Sequence, residues 1–261
     1  WSSDVCSSDL KMVYFIGAGP GDPELLTVKG KKYIDMADVI IYAGSLVNEQ
    51  VLASRKPEAV VYNSAYMNLE EVLEVMKEAE AKGLMTARVH TGDPSIFGAI
   101  REQMDALDAL GIAYEVIPGV SSFLGVAAAL KKEYTLPGVS QTVILTRMEG
   151  RTPVPEKEKL LSLAEHNATM IIFLSVGMID ELAKTLRKAY RETTPVAVVY
   201  KATWEDQKIV RGDLTNIAAR VKEAKITKTA LTVVGDFLGD DYELSKLYDK
   251  TFTTEFRKGV L

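Results

Sequence analysis

The 261-residue sequence predicts an α/β protein of two sheet-bearing domains, with mostly parallel or mixed sheets. Three observations carry that prediction. Residues 13–30, VYFIGAGPGDPELLTVKG, read as a buried strand, a glycine turn and a helix. Apolar strands then alternate with amphipathic helices as far as residue 117, which argues for a mostly parallel sheet. After a polar turn over residues 131–138 the same alternation restarts, with its own strands and helices.

In the first half, the β-branched and aromatic run Val13-Tyr14-Phe15-Ile16 is the opening strand. Asp22 and Pro23 are a good N-cap and first helical residue, with Leu25, Leu26, Val28 and Ile34 as the apolar face. Residues 38–42 and 60–62 are the next strands. Residues 68–82 form a helix, because Asn68 and Glu71 have capping-box spacing, Leu69, Val72, Leu73, Met76 and Ala79 share a face, and Gly83 ends it. A strand over 84–89 leads to a helix expected from Asp93 to Gly111, and a strand over 113–117 follows. The small apolar run 121–130 reads as a buried helix.

The second half places strands at 141–146, 169–174, 196–200, 208–211 and 230–234, with helices at 156–165, 178–190 and 213–222. The expected division is a first domain over 12–118, a second over 119–240 and a charged surface tail over 241–261. Residues 1–11 are serine-rich, aperiodic and without a signal layout, so they read as a disordered or non-native extension, with the native start at Met12.

Composition narrows the function. The net charge of −5 disfavours a general nucleic-acid surface, and no apolar run is long enough to cross a membrane. The single cysteine, Cys6, lies in the extension, so the fold proper has no thiolate site or disulfide, and a reducing cytoplasm is the expected compartment. The two histidines, His90 and His166, read as a hydrogen-bonded strand-end residue and a surface residue. No His/Asp/Glu grouping has ligand spacing, so no metal is expected. Ser121-Ser122 lacks a nucleophile-elbow setting and a base, which disfavours a hydrolase.

The glycine turn leaves two ligand readings and a bland one. A dinucleotide fingerprint needs a third glycine where Asp22 stands, and a phosphate loop needs Gly-Lys-Ser/Thr at the helix start. A tight turn with no ligand is an equal alternative, since glycine shows only that something comes close. A second loop, HTGDPSIFG at 90–98, and a third, IPGVSS at 117–122, also follow strands. Three such strand ends suit a cleft for a small polar ligand.

Together GAGPGDPELLT, HTGDPSIFGA and VIPGVSS resemble the tetrapyrrole methylases, which transfer a methyl group from S-adenosylmethionine (SAM) to uroporphyrinogen and precorrin rings. The resemblance runs from Met12 to about Asp240. It implies an active-site cleft between the domains, a homodimer, and SAM contacts at Pro20, Thr91, Gly92, Asp93, Ile96, Ser121 and Ser122. In the second half it implies contacts at Leu174 in TMIIFLSVG, Ala202 in KATWEDQ, and Ala230 and Leu231 in TALTVVG. Without the resemblance Leu174 and Leu231 would be core leucines, and Asp93 a helix cap.

Methyl transfer from SAM fits a chain poor in catalytic groups, because the donor is already activated and the protein has mainly to align the partners and exclude water. No catalytic residue is assigned. A carboxylate-fringed macrocycle calls for arginines, and among Arg88, Arg101, Arg147, Arg151, Lys201 and Arg211 the best pair is Arg101 and Arg147, each following a pocket-associated segment. IIYAGSLVN (40–48), HTGDPSIFGAIREQM (90–104), LPGVSQTVILTR (136–147), GRTPVPE (150–156) and TPVAVVYKATWEDQ (194–207) most resemble members that methylate C-11 of precorrin-4 or cobalt-precorrin-4 in corrin synthesis. The family's Trp-Pro-Asp-Glu is here Trp204-Glu205-Asp206-Gln207, which loosens the expected turn. Methylases of uroporphyrinogen III or of other precorrin carbons are the alternatives, with diphthine synthase sharing the fold. An oxidoreductase is disfavoured by the missing third glycine, and a non-catalytic binding module is the remaining class.

Overall fold

In a computed structural model, residues 12–260 are described. The extension expected over residues 1–11, with Cys6, lies outside them. The chain forms two compact units, one running through Ala129 and including Lys201–Gln207, the other comprising Leu130–Tyr200 and the residues from Lys208 onward.

The first unit is built on five strands, β1 (Val13–Gly17), β2 (Val39–Tyr42), β3 (Val60–Asn63), β4 (Thr86–His90) and β5 (Tyr114–Ile117). They lie in the order β3-β2-β4-β1-β5, and every pairing is parallel. A parallel sheet covered on both faces needs apolar residues at consecutive positions, which is why VYFI and VIIY do not alternate. Tyr14, Ile16, Ile40, Tyr42, Ala87 and Val89 pack on one side with Ile34 of helix α1 (Val28–Met36). Phe15 and Ile41 pack on the other with Val72 and Met76 of α2 (Leu69–Ala81) and Ile100 and Leu107 at α3 (Arg101–Leu110). The unit also includes most of α4 (Ser122–Leu130), so it extends past the expected break at residue 118.

The second unit holds β6 (Val143–Arg147), β7 (Thr169–Phe173), β8 (Pro195–Tyr200), β9 (Lys208–Asp213) and β10 (Ala230–Val234) in the order β6-β7-β10-β8-β9. Only the β6/β7 pairing is parallel, so this sheet is mixed. Met170, Ile172, Val196, Val198 and Val234 face a layer made by α5 (Leu160–Ala164), α6 (Ile179–Leu186) and α7 (Ile217–Glu223).

The capping box of α2 forms as expected, with Asn68 and Glu71 bonding each other's backbone N–H groups. Two expected helix starts are displaced. Asp22 caps only a 3-10 turn, Pro23–Leu25, and α1 begins five residues later behind Thr27, whose Oγ1 accepts from Gly30. Val28 therefore lies exposed instead of on the apolar face. The helix expected from Asp93 begins at Arg101, because Phe97 and Ala99 adopt left-handed backbone with φ of 56° and 49°. The helices expected at 156–165, 178–190 and 213–222 are also shorter, and Asp213 ends β9 with its carboxylate bonding Thr215 and Asn216.

Three glycines fix how the first unit's loops come together. A β-carbon on Gly17 would lie 2.6 Å from the Gly119 backbone and from the Gly92 carbonyl oxygen, and one on Gly119 would lie 2.2 Å from that same oxygen. Gly17→Ala is expected to destabilise the protein by about 2 kcal/mol or more, since only backbone could yield. Gly150→Ala, where the nearest atom is Met178 Cε at 3.7 Å, should change stability little. Thermal unfolding of the two variants checks the contrast.

Candidate functional site

In the first unit the expected site residues gather at the carboxyl ends of adjacent strands. Gly17, His90 and Ile117 end β1, β4 and β5, the three strands at that side of the sheet. The loop after β1 pairs with the loop after β4 through an antiparallel bridge, Gly19 N–H to the Gly92 carbonyl at 3.2 Å and Gly92 N–H to the Gly19 carbonyl at 2.8 Å. The loop after β5 is drawn in by Asp93, whose Oδ2 accepts from Gly119 N–H at 2.9 Å. Pro20, Thr91, Gly92, Asp93, Ser121 and Ser122 thus belong to one interlocked group of loops.

Asp93 does not cap α3. Its other oxygen accepts from Ser95 N–H and the Ser95 hydroxyl. Burial acts to raise its carboxyl, but the bonds from the Ser95 hydroxyl, Gly119 and the Ser95 amide outweigh it and hold the group below its ordinary value. The residue is an ionised brace between two loops. Ser121 is buried, its carbonyl accepting the Leu124 and Gly125 amides at the start of α4, while Ser122, Thr91 and Ile96 are half-buried.

Ala202 sits in the segment 201–207, which belongs to this same unit. It is buried between Lys201 and Thr203, both left-handed with φ of 46° and 71°. Trp204 Nε1 donates to the Pro20 carbonyl at 3.0 Å, and Thr203 Oγ1 accepts from Asp22 N–H at 3.0 Å. The turn without its family proline is held by Gln207, whose Oε1 accepts from Thr203 N–H and whose own N–H donates to the Trp204 carbonyl.

These contacts decide what the glycines are for. A β-carbon on Gly21 would meet the Trp204 ring at 2.0 Å, and Gly17 and Gly92 are crowded by backbone. Asp22 Oδ1 occupies the Glu24 amide. The glycines of GAGPGD serve close packing of protein on protein and do not form a phosphate cradle.

In the second unit, the antiparallel register of β10 against β7, Thr232 opposite Ile172, puts the start of β10 beside the end of β7. Leu174, just past β7, and Ala230 and Leu231, at the start of β10, therefore share one sheet edge. Leu174 is 66 % exposed with φ of 53°, so the core reading fails for it. Leu231 is buried within β10, where the core reading suffices. An exposed branched residue in left-handed backbone is a conformation that neighbouring structure must enforce. Beside it Ser175 is fully buried, its hydroxyl donating to the Phe173 carbonyl and accepting from Met148 N–H.

The two chosen arginines are both engaged locally. Arg101 Nε bonds Asp105 at 2.7 Å one turn along α3. Arg147 donates to the carbonyls of Met148, Thr152 and Pro153 and so shapes its own loop. Arg88, by contrast, is buried with no acidic partner among the described residues, and burial lowers its value to about 10. His166 is exposed as expected. His90 departs from expectation: it is 4 % exposed and its Nε2 has no hydrogen-bond partner among the described residues. Among the described residues no group of three or more His, Cys, Asp or Glu could hold a metal ion, and no helix is long and apolar enough to cross a membrane.

Residues 12–218 match the family described as tetrapyrrole (corrin/porphyrin) methylases, and the chain belongs to that family. Within it, the chain is 60 % identical over 250 residues to a cobalt-precorrin-4 C(11)-methyltransferase of Methanocaldococcus jannaschii, covering 95 % of this chain and 96 % of that one. Its fold is similar to the X-ray structure of a cobalt-precorrin-4 methyltransferase of cobalamin biosynthesis, with a TM-score of 0.87, 47 % identity, and coverage of 89 % of this chain and 98 % of that one. It is also similar to a uroporphyrin-III C-methyltransferase of Thermus thermophilus complexed with S-adenosylhomocysteine, with a TM-score of 0.70, 29 % identity and coverage of 87 % and 93 %.

Burial, and then the Arg88 charge, depress His90 from 6.5 to about 3. Between these values the unfolded chain binds a proton that the native state refuses, so stability is full above pH 6.5 and falls as pH drops toward 3. His90→Gln is expected to flatten the pH dependence of unfolding in that window by about 1.4 kcal/mol per pH unit, one proton's worth. Urea unfolding from pH 7 to pH 4 measures it.

Proposed function

We propose that this methylase transfers a methyl group from SAM to C-11 of a precorrin-4 macrocycle, with cobalt-precorrin-4 as the preferred form. The observation that carries the reading is similarity along nearly the whole chain to a relative bearing that name. SAM supplies a methyl group already activated by a sulfonium, so no protein nucleophile or metal is needed.

The residues present suit such a donor. SAM carries no phosphate, and the first loop offers no phosphate cradle. It does need polar atoms for a ribose and an amino-acid group, and apolar surface for a purine. Thr91 and Ser122 offer half-buried hydroxyls, and Ile96 and the exposed Leu174 offer apolar surface. The proposed donor contacts are Pro20, Thr91, Gly92, Asp93, Ile96, Ser121, Ser122, Leu174, Ala202, Ala230 and Leu231. Asp93 holds its place through loop geometry, so its work is to keep the Gly119 loop against the Thr91-Gly92 backbone. With the reacting groups held in line, alignment and exclusion of water supply the rate enhancement. The homodimer expected from the resemblance belongs to the same proposal, and light scattering reads it.

Calorimetric titration is expected to show SAM binding and no NADPH binding. Parallel incubations with SAM and either cobalt-loaded or metal-free precorrin-4 should give a product with one added methyl, at C-11 by NMR, and faster with the cobalt form. Methylation of uroporphyrinogen III at C-2 and C-7 would overturn the assignment.

A further inference from the structure

Beneath the TGDPSIFG loop runs a buried chain of polar contacts that touches none of the assigned residues. Arg88 on β4 is 7 % exposed and Gln103 in the first turn of α3 is 5 % exposed. Arg88 Nη1 donates to the Ile41 carbonyl on β2 at 3.3 Å, and its Nε donates to Gln103 Oε1 at 3.1 Å. Gln103 Nε2 then donates to the Ala99 carbonyl at 2.9 Å. The contacts pass from the sheet to the one stretch of the loop with left-handed backbone at residues bearing a β-carbon, Phe97 and Ala99.

The chemistry of the chain restricts what can stand at position 103. A guanidinium only donates and a carbonyl only accepts, so the group between them must accept at one end and donate at the other. A primary amide does both. A carboxylate would satisfy Arg88 and even neutralise it, but would set oxygen against the Ala99 oxygen. Stability alone would favour an acid here, since a buried guanidinium with neutral partners carries an uncompensated charge. Glutamine instead keeps the tie to Ala99. Ile100, at the N-cap of α3, makes no side-chain cap bond, so capping does not hold this end of the loop.

We propose that Arg88 and Gln103 are positioning residues for the methyl donor: they hold Phe97 and Ala99 left-handed and thereby place Asp93 and Ile96. This rests on the reading of residues 91–96 as part of the donor site. The inference is tested with Gln103→Glu, with S-adenosylhomocysteine as the calorimetric probe and thermal unfolding alongside. The variant should unfold at or above the wild-type midpoint, because it gains an ion pair with Arg88, yet bind the probe about tenfold more weakly. Adding Ala99→Gly should recover several-fold of that loss, since glycine adopts left-handed backbone without the tie. A Gln103→Glu variant that binds as tightly as wild type overturns the proposal, as does one whose lost affinity Ala99→Gly leaves unchanged. If Gln103→Glu does not fold, Gln103→Met replaces it, with weaker binding at a retained fold as the supporting result and wild-type affinity as the overturning one. Failure of the wild-type chain to bind the probe would remove the donor reading itself, and this proposal with it.

Discussion

The close approach of three backbones at Gly17, Gly92 and Gly119 is the constraint on which the rest of the first unit's site depends. With no β-carbon at Gly17 or Gly119, the ends of β1, β4 and β5 can pass within contact of one another. Once they do, the Gly19–Gly92 bridge and the Asp93–Gly119 bond follow as local hydrogen bonding between strands already in register. Loops that would otherwise be separate excursions from a parallel sheet become one piece. The polar side chains on them need little freedom after that, which suits a reaction catalysed by placement.

Most of the architecture was legible because the physics was local. Consecutive apolar residues in β1 and β2 announced a sheet covered on both faces, and the Asn68/Glu71 spacing announced the start of α2. Helix starts after glycine loops were less legible. Asp-Pro is a sound cap in isolation, yet Asp22 spends it on a 3-10 turn and Asp93 spends its carboxylate on Ser95 and Gly119. Nothing within a short window says that a neighbouring loop will claim the carboxylate.

The site shows the same division. The glycine motifs pointed to the right strand ends, but the sequence could not say whether a ligand or protein fills the space, and at Gly21 the answer is an indole from residue 204. Leu174 would pass for core until its backbone conformation and exposure are known. Arg101 and Arg147 stood out by position, whereas burial singles out Arg88, and burial of a charged side chain is set by elements far apart in sequence. The one available hint was that Arg88 lies inside a strand, directly between the apolar Ala87 and Val89.

The segment Lys201–Gln207 belongs to a different unit from the residues on either side of it in sequence. It is encoded between two strands of the second unit, β8 and β9, but folds as part of the first. Neither unit is therefore a continuous stretch of gene. Cutting after residue 129 would leave the first half without the indole that lies on Gly21 and without the hydroxyl that takes the Asp22 amide. Recombination that exchanged one half for a distant relative's would break the same partnership, so the two halves are expected to have been inherited together, with position 204 changing only in step with positions 20–22.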